Sequence, residues 1–285
     1  MSRGTSREGP VLFTAEGATC IGIVHRPPVA SRTGVVIVVG GPQYRVGAHR
    51  SFVTLARSLA DAGFAVFRFD YRGLGDSEGE DPGFEALGPD IAAAIDAFHD
   101  AVPEVARVVL WGLCDGATAS VLCAADDPRV AGLVLLNPWV HEEAAYERVL
   151  LRHYYRRRIV SRDFWRQLAR GRVKFLDFPR LVIGMIGRGF KRAGEAVPAR
   201  LADRFLAAAG RHAGPVLLVT SGHDLTAREF LDAVGRDSAW RAAIAAGRVR
   251  RLHVEEADHT FSEPGTLEQV IAATRDWLEG LDHSS

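Results

Sequence analysis

The stretch Val108–Ser120, "VVLWGLCDGATAS", is where the reading of this chain begins. A run of large apolar and β-branched residues ends at Gly112, and after Gly116 small residues suited to a helix take over. A strand that is apolar at every position is buried on both faces, as in a parallel sheet covered by helices. Gly112 and Gly116 bracket Cys114 as G-x-C-x-G, a spacing that permits a tight strand-to-helix turn with the thiol at its apex. A residue at such an apex takes strained dihedrals and needs small neighbours. Cys114 is therefore a nucleophile or a small packed residue in a turn, since free cysteines are usually buried.

Working outward, similar short apolar runs recur with helical patterns between them. Val35–Val39, Phe64–Asp70, Gly132–Pro138, Pro215–Gly222 and Arg248–His259 each read as or contain a strand. Phe52, Leu55, Ala56 and Leu59 form one face of a helix that Gly63 ends; Ile91, Ile95 and Phe98 form another. "LEQVIAATRDWLEGL" reads as a closing helix. Alternating residues around Glu16-Gly17 predict an antiparallel N-terminal hairpin. The expected fold class is α/β, with a mostly parallel central sheet and helices on both faces. Residues 141–210 break the rhythm. They hold sixteen Lys/Arg against seven Asp/Glu, carry many aromatics, and read as a helical, basic cap inserted into a core made of residues 1–140 and 211–285.

Composition sets the bounds. The chain has 285 residues, 47% of them hydrophobic, with Lys+Arg and Asp+Glu both at 35. Such neutrality gives no support for a nucleic-acid partner. No apolar run approaches the roughly 20 residues that span a bilayer, and the first residues show no apolar leader. The three cysteines, Cys20, Cys114 and Cys123, form no C-x-x-C pair, so neither a disulfide framework nor a metal centre is expected. No cofactor-binding motif stands out. The expectation is a cytoplasmic protein with reduced thiols and no membrane span.

In an open α/β sheet the reactive groups gather at the carboxyl ends of the strands. Cys114, Asp224 and His259 each follow a different predicted strand, in the chain order nucleophile, acid, histidine. At a helix N-terminus beside a histidine, the Cys114 thiol is drawn toward thiolate. His259 would carry the proton, and Asp224 would orient the imidazole. Asp224 also reads as the cap of the helix beginning "LTAREF", and His259 as a surface-loop histidine. The Asp115 backbone N–H would be one oxyanion donor; its carboxylate is structural or touches substrate. The second donor would come from "VVGGPQYRVG", where Pro42 has no N–H, so Gln43 is preferred and Gly41 is the fallback. Asp258 and His223 read as solvated neighbours. Tyr44, Tyr154 and Trp165 are candidate substrate contacts.

The stretches "GGPQYRVGAHRSF", "FRFDYRGLGDSEG", "WGLCDGATAS" and "EEADHTFS" resemble the α/β-hydrolase superfamily. More narrowly they are similar to the hydrolase 1 family associated with the exosortase A system, which carries cysteine in the elbow. Ala117-Thr118 departs from the Ala-Ser of that pattern. The resemblance implies an α/β-hydrolase fold with an inserted helical cap and a Cys-His-Asp site. The chemistry then expected is cleavage of an ester or thioester through an S-acyl enzyme. The alternative is transfer of the acyl group to an alcohol or amine, and a non-catalytic binding protein is a third reading. The basic insertion suits a small-molecule acyl substrate carried on coenzyme A or an acyl carrier protein.

Overall fold

A computed structural model describes residues 7–41, 43–140 and 200–283. The chain opens with the predicted hairpin: β1 (Arg7–Ala15) pairs antiparallel with β2 (Ala18–Arg26). Its two turn residues, Glu16 and Gly17, both have positive φ, 48° and 83°, which matches the strand twist. Strand β2 joins the main sheet by antiparallel pairing with β4 (Val66–Asp70). The remaining pairings are parallel, through β3 (Thr33–Val38), β5 (Arg107–Leu113), β6 (Val130–Leu136), β7 (Val216–Ser221) and β8 (Val249–Val254). The strand order is β1-β2-β4-β3-β5-β6-β7-β8.

The unbroken apolar runs are explained by two cores, one on each face. Along β3, Val36 and Val38 face one core while Val35 and Ile37 face the other, the two-residue period of a strand. The first core takes Phe98 from α2 (Gly88–Ala101), Val121 from α3 (Asp115–Ala124) and Phe205 from α4 (Leu201–Arg211). It also takes Phe230 from α5 (Leu225–Val234) and Trp240 from α6 (Ser238–Ala245). The second core receives Phe52 and Leu59 from α1 (Ser51–Asp61), and Trp277 and Leu278 from α7 (Thr266–His283). Burying each such side chain contributes about 1.5–3 kcal/mol, and these helices hold the central strands from both faces.

One boundary moves. Among the described residues, α4 clusters with the core although residues 201–210 were expected in the insertion. The reason is Phe205, fully buried and edge-on to Phe230 and Trp240 at 5.1 and 5.8 Å between ring centres. The rest of the expected cap lies outside the described residues. Among the described residues no helix is long and apolar enough to cross a membrane.

Candidate active site

Strand β5 ends at Leu113 and α3 begins at Asp115, which leaves Cys114 alone in the turn. Its φ of 61° and ψ of −126° lie where a side chain is strained, at a cost of about 1–3 kcal/mol. The neighbouring packing holds it there. The Cys114 N–H donates to the Leu136 carbonyl (2.9 Å), and the Cys114 carbonyl accepts from the Trp139 N–H (3.1 Å). A Cβ on Gly112 would lie 2.5 Å from the Gly116 carbonyl oxygen; one on Gly116 would lie 2.5 Å from that of Val38. Both glycines are thus required by close backbone approach, which is why G-x-C-x-G was informative.

Asp224 follows β7 and caps α5, its carboxylate accepting from the N–H groups of Thr226 (3.0 Å) and Ala227 (3.3 Å). The same carboxylate reaches His259, with 2.8 Å between Oδ2 and Nδ1. His259, in the loop after β8, is partly exposed, whereas Asp224 is buried. The hydrogen bond to Asp224, and next the interaction with the Cys114 thiol, push the His259 pKa up to about 10 against its partial burial. The three residues named from separate stretches of sequence are therefore brought together at the carboxyl ends of β5, β7 and β8.

The loop after β3 lies beside this cluster. The Gly41 N–H, the fallback oxyanion donor, is engaged: it donates to the Asp115 carboxylate at 2.6 Å. That carboxylate also accepts the Gly116 N–H at 2.9 Å. Burial raises the Asp115 pKa, and the two amides act in the opposite direction. Among the described residues no acceptor takes the Gln43 N–H, while the Gln43 side chain accepts from the Ala48 N–H at 3.2 Å. Asp115 opens α3, where an N–H has no acceptor within the helix. Tyr44 is exposed; Tyr154 and Trp165 lie outside the described residues.

Several supporting residues escaped the sequence reading. Asn137 follows β6 at a φ of 42°, is fully buried, and donates to Ser221 Oγ (2.8 Å) and to the His259 carbonyl (3.2 Å). Its Oδ1 accepts the Ser221 N–H at 2.9 Å. The only local signal was the Asn137-Pro138 dipeptide, a turn former. Asp258, expected to be solvated, accepts from the N–H groups of Thr260 (3.1 Å) and Ser262 (2.8 Å) and so shapes the His259 loop. His223 is exposed, as expected for a solvated neighbour. Buried Asp70 binds the backbone N–H (2.6 Å) and the guanidinium of Arg45, whose side chain also meets Asp76 at 2.6 Å.

Comparison with known proteins agrees with this architecture. The family model described as serine aminopeptidase, S33, matches residues 31–171, just under half the chain. The chain is 30% identical to the polyketide transferase GrgF of a Penicillium species over 159 residues, covering 52% of this chain and 51% of that protein. It is 29% identical to the quorum-quenching protein AidA of Acinetobacter baumannii over 135 residues, covering 45% and 43%. The chain thus spans about half the length of the curated relatives it matches. Among solved structures, a Pyrococcus furiosus esterase superposes with a TM-score of 0.65 at 16% identity, covering 96% of this chain and 91% of that one. The GrgF structure superposes with a TM-score of 0.64 at 17% identity, covering 97% and 99%. The fold is that of the α/β-hydrolases.

Proposed function

We propose that the chain is a cysteine-dependent acyl hydrolase acting on an ester or thioester. The observation that carries this reading is Cys114 at the strained elbow, with His259 beside it and 2.8 Å from the Asp224 carboxylate. In the first half-reaction the Cys114 thiol gives its proton to His259, its sulfur attacks the substrate carbonyl carbon, and the resulting oxyanion is held by the N–H groups of Asp115 and Gln43. The carbon–sulfur bond forms, the bond to the leaving group breaks, and His259 gives its proton to the departing oxygen or sulfur. In the second, water loses a proton to His259 and attacks the S-acyl carbon, returning the thiolate. Thiolate leaves readily, so thioesters and activated esters are better substrates than amides. The resemblance to exosortase A-associated hydrolases, with cysteine in the elbow, supports the thiol as nucleophile.

Transfer to an alcohol or amine is the second reading, favoured by the similarity to a protein named as a polyketide transferase. It shares the acyl enzyme and differs only in what attacks it. The net positive charge of residues 141–210 supports an anionic carrier such as coenzyme A or an acyl carrier protein. Intact-mass spectrometry with a panel of activated esters and acyl thioesters tests the whole scheme. The expected result is a one-acyl adduct that is absent in Cys114→Ala. Rapid loss of the adduct in water supports hydrolysis, whereas a long-lived adduct discharged by an added alcohol or amine supports transfer. No adduct with any donor sinks both.

A further inference from the structure

Two neighbouring pieces of backbone must supply the oxyanion donors, and one side chain ties them together. Asp115 Oδ1 accepts the Gly41 N–H, from the loop after β3, at 2.6 Å. The same oxygen accepts the Gly116 N–H, from the first turn of α3, at 2.9 Å. The fit is close enough to govern residue choice next door. A Cβ on Gly40 would lie 2.2 Å from that oxygen and 2.4 Å from the Leu113 carbonyl oxygen, so the loop lies on the elbow with no side chain between them. The far end of the loop is held separately. Asp70 takes the Arg45 N–H at 2.6 Å, and Arg68 Nη1 donates to the Arg45 carbonyl at 2.9 Å. Gln43 sits between these two anchors.

We infer that the Asp115 carboxylate is a positioning residue that sets the distance between the two oxyanion donors. This inference rests on the acyl-transfer reading above. Residue 115 then acts twice: its N–H faces the developing oxyanion, and its side chain fixes the loop carrying the Gln43 N–H. The arrangement also explains why Gly41 is not itself a donor, since its hydrogen is already committed. A carboxylate held next to a developing oxyanion is electrostatically unfavourable, so its presence calls for a compensating structural role.

The test compares two neutral variants, so that loss of charge is common to both. Asp115→Asn keeps an oxygen that can accept both amides; Asp115→Ala does not. Two probes of Cys114 separate the steps: 4-nitrophenyl acetate, whose attack generates an oxyanion, and iodoacetamide, whose displacement does not. In Asp115→Ala, acylation should slow about 100-fold, the order expected when one oxyanion donor is lost, while alkylation falls far less. Asp115→Asn should recover most of the acylation rate. The Gly41 amide, followed by hydrogen exchange, should lose protection in the alanine variant and keep it in the asparagine variant. If Asp115→Ala does not fold, Asp115→Ser, too short to span both amides, replaces it. Equal acylation by the alanine and asparagine variants, or parallel loss of acylation and alkylation, overturns the inference. Wild-type protein that is alkylated but never acylated removes the acyl-transfer reading and this inference with it. An acylating wild type with an unprotected Gly41 amide overturns the inference alone.

Discussion

Asp224 has two duties that the sequence presented as alternatives. Its carboxylate caps α5 through Thr226 and Ala227 and also binds His259 Nδ1. The duties respond differently to substitution. Asparagine retains an acceptor for the helix amides but brings no charge to the imidazole, whereas alanine loses both. The alanine variant should therefore be less stable than the asparagine variant by about 1 kcal/mol, the usual value of a cap. In both variants the His259 pKa should fall from about 10 toward its ordinary value. Urea melts and NMR titration of the imidazole read the two effects separately. Equal stability of the two variants would show that the cap contributes nothing, and an imidazole still titrating near 10 would show that Asp224 does not hold it.

At the scale of elements, the elbow depends on strand β3, helix α3 and strand β5 meeting with almost no side chain between them. Gly116→Ala puts a methyl 2.5 Å from the Val38 carbonyl oxygen, and backbone yields less cheaply than a flexible side chain. Overpacking of this kind costs roughly 3 kcal/mol, to be read as a lower urea midpoint at unchanged slope. A loss below about 1 kcal/mol would mean that α3 and β3 move apart easily. Element identity was legible because a strand or helix announces itself over a few neighbouring residues. Phe64–Asp70 was expected as a strand, and β4 spans Val66–Asp70. Cys114, Asp224 and His259 were legible as candidates because each follows such a strand. The supporting contacts were not, because they join distant positions: Arg45 to Asp70 across 25 residues, Asn137 to Ser221 across 84, and Asn137 to His259 across 122. No periodicity encodes those pairs. Helix α4 was assigned to the insertion for the related reason that its core partners, Phe230 and Trp240, come later in the chain.

For the whole molecule, two histidines at different places tilt stability in opposite directions with pH. His259 has a folded pKa of about 10 against an ordinary 6.5. Its contribution is complete below about pH 6.5 and is lost as pH rises through 10. His25 is fully buried and accepts a hydrogen bond at 2.8 Å from Arg68 Nε. Burial, and next the Arg68 charge, push its pKa down to about 4, so its contribution is complete above about 6.5 and lost as pH falls through 4. The summed contribution of these two groups is greatest near pH 6.5. Urea midpoints from pH 4 to pH 10 should fall at both ends, with His259→Gln flattening the alkaline limb and His25→Gln the acid limb. An alkaline limb unchanged in His259→Gln would assign that loss to other groups.

The turn holds residue 114 largely through its backbone and through the absence of bulk around it. Leu136, Trp139, Gly112 and Gly116 all act through main-chain atoms or through want of a side chain. These contacts would be the same for serine, whose side chain differs from cysteine only beyond the Cβ. The choice between sulfur and oxygen is thus open to exchange by a single coding change, with no rebuilding of the scaffold.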